Sequence, residues 1–84
     1  MNWKVVSVEP KLPLSLAVRF ADGTEGIVRF EPSHLTGVFA ALNDAAIFRQ
    51  AHVDGGAVCW PGAIDLAPDA MYRAIRQSGE WVLR

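Results

Sequence analysis

The chain has 84 residues, 51% hydrophobic and 20% charged. That balance suits one small folded domain spanning residues 1–84 and excludes a disordered tail. Eight basic residues against nine acidic leave a net charge of −1, and there is a single cysteine. The basic excess that nucleic acid or an anionic membrane calls for is missing, and no intrachain disulfide can form. No apolar run approaches the roughly 18 residues of a membrane span, and the N-terminus does not read as a signal peptide. A reduced, cytoplasmic domain is the expectation.

The first thirty residues read as strands. Trp3 to Glu9 is β-branched, with Val6 assigned to the core. Pro10 and Pro13 bracket a short connection, because proline gives a ladder no N–H. From Leu14 to Phe20 the pattern alternates: Leu14, Leu16, Val18 and Phe20 point one way, Ser15, Ala17 and Arg19 the other. A second alternating run carries Gly26, Val28 and Phe30.

The register between the two runs follows from the buried face. A two-residue Asp22-Gly23 loop would set Phe20 opposite Glu25 and Leu16 opposite Arg29. A three-residue loop, Ala21-Asp22-Gly23, sets Phe20 opposite Thr24, Leu16 opposite Val28 and Leu14 opposite Phe30. It also sets Arg19 opposite Glu25. A slip of one residue reverses every side chain, so the three-residue loop is expected, with Gly23 in the left-handed position of a bulge.

After Pro32 the spacing of Leu35, Val38, Phe39 and Leu42 predicts short helical turns. Asn43-Asp44 offers a cap for Ala45 to Phe48. Arg49 to Asp54 and Ala57 to Trp60 are expected to pair as strands about Gly55-Gly56. Pro61-Gly62 turns the chain again into a short extended piece at Ile64 to Leu66. Pro68 suits the first turn of a helix, Asp69 favours its dipole and stands four before Arg73, and Gly79 suits its end. Trp81, Val82 and Leu83 form an apolar end that docks.

Residues with chemistry are scattered. His34, His52 and Cys59 lack metal-ligand spacing. Cys59 with a histidine and an aspartate makes a triad only on paper, and a small buried thiol is the simpler reading. Asp65 and Asp69 flank the last helix, where a cap for the turn and a dipole partner are the expected roles. There is no phosphate-binding glycine motif. Arg73, Arg76 and Arg84 make a small positive patch on a chain that is otherwise slightly acidic. Trp3, Trp60 and Trp81 either fill the core or anchor a partner.

The stretch from Val58 to Tyr72 sets Trp60-Pro61 before Asp65-Leu66, Pro68-Asp69 and Tyr72. It resembles the signature of domain-of-unknown-function family 2442. Leu16 to Thr24, and Gly37-Val38-Phe39 with Leu42 and Phe48, look like the same family. The resemblance covers nearly the whole chain. It implies a small bacterial α+β domain, and in some members an arrangement like a toxin–antitoxin pair, with a second small protein encoded alongside. Other members look as though they add a DNA-binding helix–turn–helix, for which the residues up to Arg84 leave no room. The resemblance supplies no catalytic residues.

The sequence thus reads as α+β: a small antiparallel sheet of hairpins, short helical turns and a C-terminal helix packed on one face. The expected core is Val6, Leu14, Leu16, Val18, Phe20, Val28, Phe30, Phe39, Leu42, Phe48, Val58, Leu66, Met71 and Ile75. The expected function is a non-enzymatic interaction module, antitoxin-like or regulatory, without cofactor or metal. Its candidate contact residues are Trp60, Pro61, Asp65, Asp69, Tyr72 and Arg73, with an open sheet edge as a further surface. The expected partner is another small protein encoded nearby, and a homodimer is open. One alternative is a small enzyme or ligand-binding domain using Asp65, Asp69, Tyr72 and His52. The other is weak nucleic-acid binding through Arg73, Arg76 and Arg84.

Overall fold

The computed structural model describes residues 3–11 and 13–84. Strands β1 (Val5–Lys11), β2 (Ser15–Phe20) and β3 (Glu25–Phe30) form an antiparallel meander. Two 3-10 turns, Pro32–His34 and Gly37–Asn43, lead into a short helix α1 (Ala45–Phe48). A second sheet follows, made of β4 (His52–Asp54), β5 (Ala57–Trp60) and β6 (Ile64–Asp65) in that order. Helix α2 (Pro68–Ser78) then returns the chain to the first sheet, where β7 (Glu80–Leu83) lies parallel to β3.

The β2–β3 hairpin has the register that burial demands. Leu16 pairs with Val28, Val18 with Gly26 and Arg19 with Glu25. The Phe20 N–H donates to the Thr24 carbonyl at 2.8 Å, the Gly23 N–H donates to the Phe20 carbonyl at 2.9 Å, and Gly23 has φ 89°. Asp44 caps α1, its carboxylate accepting from the Ala46 N–H at 2.9 Å.

Several expectations are corrected. The first sheet is mixed rather than antiparallel, since the apolar end Trp81–Leu83 is a parallel edge strand, and a second three-stranded sheet is present. The α2 crossover brings the chain back in the direction of β3, so parallel pairing is the only one available there. Pro10 does not end β1: the strand runs on to Lys11, and Pro10 sits opposite Leu16 on an edge strand, where a missing N–H is tolerated. The strand expected from Arg49 begins only at His52, because Arg49 and Gln50 close the last turn of α1. Val6 is 51% exposed while Val5 is buried. The pairing of β1 with β2 shifts between Val5 and Ser7, and that irregularity exchanges the inward position. Leu14 and Phe39 are half-buried and pack against the core rather than filling it.

The core unites both sheets. Leu16, Val18, Phe20, Val28 and Phe30 from one face of the first sheet meet Phe48, Val58, Trp60, Leu66, Met71 and Ile75. Phe30, Phe48 and Trp60 form an aromatic cluster with ring centroids 5.8–6.0 Å apart. At Gly26 α2 lies tight against β3: a Cβ there would lie 2.5 Å from Ile75 Cγ2 and 2.8 Å from the Gly79 carbonyl oxygen. No described helix is long and apolar enough to cross a membrane.

Candidate functional site

Helix α2 follows its sequence signals. Pro68 opens it, Asp69 lies in its first turn, and Gly79 closes it at φ 83° with its N–H donating to the Ile75 carbonyl at 2.7 Å. Met71 and Ile75 are buried, which leaves Asp69, Arg73 and Arg76 exposed on the far side, with Tyr72 at the boundary. The Tyr72 ring meets Phe20 edge-on at 5.0 Å. Its hydroxyl donates to Asp22 Oδ2 at 2.6 Å, while Asp22 Oδ1 accepts from the Thr24 N–H at 2.9 Å. The β2–β3 turn thereby clamps the side of α2.

The clamp sets the protonation of both partners. The Tyr72 hydroxyl, with the Thr24 backbone behind it, holds Asp22 down at about 2 from an ordinary 3.8. The Asp22 hydrogen bond pushes the Tyr72 hydroxyl above its usual range. Arg76 lies with Cζ 6.0 Å from the centroid of the Tyr72 ring. Trp3, Asp69, Tyr72, Arg73 and Arg76 together line an open groove of about 520 Å³. Among the described residues neither Arg73 nor Arg76 closes an ion pair, and the expected Asp69–Arg73 pair does not form.

Three of the sequence candidates, Asp69, Tyr72 and Arg73, therefore share one surface. Trp60 does not join them: it is 2% exposed, and its indole N–H donates to the Phe48 carbonyl at 2.9 Å. Pro61 is exposed in the β5–β6 turn. Asp65 sits on β6 opposite Cys59, and α2 has no side-chain cap, so Asp65 does not cap it. Arg84 is outside the groove, its carbonyl accepting from His34 Nδ1 at 3.1 Å when that nitrogen is protonated. The sequence offered Trp3 as a core residue or a partner anchor without placing it beside α2, it did not point to Asp22, and the Asp22–Tyr72 contact spans 50 residues with no local pattern to announce it.

His52, Cys59 and Asp65 do form a row across β4, β5 and β6. Burial first, then the Asp54 and Asp65 charges, push the Cys59 thiol up, which disfavours a nucleophilic thiolate. The thiol points to the Ala57 carbonyl at 3.7 Å, and His52 Nδ1 lies 3.0 Å from the Gln50 carbonyl. In this row the Cys59 thiol and His52 Nδ1 are thus turned to the backbone rather than to each other.

A small two-sheet α+β domain with an aromatic and arginine groove along helix α2 is the class this fold and site define. Residues 5–77 match the family described as protein of unknown function (DUF2442), and the chain belongs to that family. No curated protein and no solved structure matches it.

Proposed function

We propose that the chain is a non-enzymatic protein-interaction module that takes its partner in the groove of Trp3, Asp69, Tyr72, Arg73 and Arg76. The observation that carries this reading is the 2.6 Å Tyr72–Asp22 hydrogen bond, which fixes an aromatic side chain beside Arg76 in a groove that Arg73 also lines. Aromatic and arginine side chains are the types that concentrate binding energy at interfaces. The favoured partner is a second small protein encoded nearby, in a regulatory or antitoxin-like bacterial arrangement.

The enzymatic alternative draws little from the geometry. Asp65 does not line the groove, and Asp22, ionised down to about pH 2, has no proton to deliver at neutral pH and is a weak base. The nucleic-acid alternative has Arg73 and Arg76 side by side, but Asp69 shares their groove and the net charge is −1.

The test is co-purification with the product of the neighbouring gene, for the wild type and for Arg73→Glu and Trp3→Ala. Both changes fall on exposed residues. Capture by the wild type and its loss in both variants supports the groove. No capture with both proteins folded, or capture indifferent to both changes, overturns it. A gel-shift titration with single- and double-stranded oligonucleotides at low salt separates the nucleic-acid alternative.

A further inference from the structure

The two edges of the first sheet are treated differently. The β1 edge is protected: Pro10 interrupts it, Glu9 and Lys11 charge it, and the Val5 N–H donates to the Gly56 carbonyl of the β4–β5 turn at 2.9 Å. The β7 edge has none of these devices between its ends. It reads Glu80-Trp81-Val82-Leu83 and, among the described residues, pairs only with β3.

Its outward groups can be assigned. The Ile27 N–H donates to the Gly79 carbonyl and the Glu31 N–H to the Leu83 carbonyl, so the odd-numbered residues face β3. The strand alternation then turns the main-chain N–H and C=O of Glu80 and Val82 away from the sheet, where the Glu80 carbonyl already accepts from the Ser78 hydroxyl at 3.1 Å and keeps its second lone pair for a partner strand. Their side chains lie with Ile27 and Arg29 on the face opposite the core.

We propose that β7 pairs antiparallel with β7 of a second copy of this chain, about a two-fold axis at Val82. In that register Val82 faces Val82 of the copy as a hydrogen-bonded pair, an isologous contact. Glu80 faces Arg84 of the copy, and Arg84 faces Glu80, so opposite charges meet at both ends. On the core face Trp81 meets Leu83. A shift by one pair either way loses both charge matches. The Glu80 carboxylate is half-exposed, is held among the described residues only by Arg29 Nε at 3.4 Å, and can serve both arginines. The result is a continuous eight-stranded sheet. An axis perpendicular to it keeps each copy's faces in place, so both α2 helices and both grooves stand on the same side.

Sedimentation equilibrium of the full chain across a wide concentration range is the test. A concentration-dependent dimer is expected, and a wild type monomeric throughout overturns the proposal. Val82→Pro removes an outward N–H and spares every bond from β7 to β3. It is expected to be monomeric with an unchanged far-ultraviolet circular dichroism spectrum, and a folded, dimeric Val82→Pro overturns the pairing. Arg84→Glu, at an exposed position, decides the matter if that variant does not fold. It sets like charges at both ends and is expected to weaken the dimer about tenfold, with Glu80→Lys in the same chain restoring it. A dimer indifferent to Arg84→Glu, or not restored by the second change, overturns this register. A chain that is monomeric alone and uses the β7 edge only for a different protein overturns the choice of partner.

Discussion

Asp22 and Tyr72 each decide how the other ionises, and the consequence is a definite pH dependence. Asp22 is depressed in the folded state, so its contribution is fully present above the ordinary carboxylate value of 3.8 and is lost as pH falls toward about 2. Tyr72→Phe keeps the ring against Phe20 and removes the hydroxyl that lowers Asp22 most. The Asp22 carboxyl is then expected to titrate close to the ordinary range, read by carbon-13 NMR of its side chain, and the acid limb of stability between pH 4 and 2 flattens. An Asp22 titration unchanged in that variant would show that the Thr24 backbone alone holds it down. Ala63 is a second single-residue case. It has φ 63° beside Gly62 at φ 91°, a left-handed pair in which only one member lacks a Cβ. Ala63→Gly is expected to raise stability by about 0.5–1 kcal/mol, the relief of left-handed strain less the added freedom of the unfolded chain, measured by urea denaturation.

Among the elements, the β2–β3 hairpin was legible because its alternation is strict and only one register buries every apolar side chain. Leu16, fully buried opposite Val28, is where that reading is tested: Leu16→Ala is expected to cost about 2–5 kcal/mol. Helix α2 was legible from Pro68 and Gly79, and with it the part of the site carried on one helix, Asp69, Tyr72 and Arg73. Two elements hid. The irregularity in β1 exchanges Val6 for Val5 through backbone pairing that no side-chain pattern encodes. Strand β7 has only four residues, and its parallel partner lies 53 residues earlier, Ile27 against Glu80, so local periodicity had nothing to show. Trp60 hid in another sense: its place in a family-like motif suggested a contact surface, whereas its indole closes the second sheet onto α1. The packing of α2 on β3 depends on Gly26. Gly26→Ala drives a methyl into Ile75 and the Gly79 carbonyl, and because the backbone oxygen cannot rotate away the helix must retreat. A loss of about 1–3 kcal/mol is expected in the same denaturation assay, and α2, with the groove it carries, moves off the sheet.

The whole molecule raises the question of whether its two sheets melt together. The second sheet has only nine strand residues, counting three in β4, four in β5 and two in β6, too few to hold an independent core. What stabilises it is borrowed: Val58, Trp60, Ile64 and Leu66 face a cluster that includes Leu16, Phe20 and Phe30 of the first sheet. The Phe30, Phe48 and Trp60 rings join the two layers, and the Trp60 indole N–H ties β5 to the end of α1. Separating the sheets would therefore expose the apolar faces of both at once, which favours a single cooperative transition. Trp60 is a natural reporter for the second sheet, provided that Trp3 and Trp81 are silenced. In the Trp3→Phe, Trp81→Phe variant the remaining fluorescence reports burial of Trp60, while far-ultraviolet circular dichroism reports mainly the longer strands and α2. The two urea midpoints are expected to coincide, with one slope describing both. A fluorescence midpoint at lower urea would mean that the second sheet peels away first, and that the aromatic cluster is a hinge between two units rather than the centre of one.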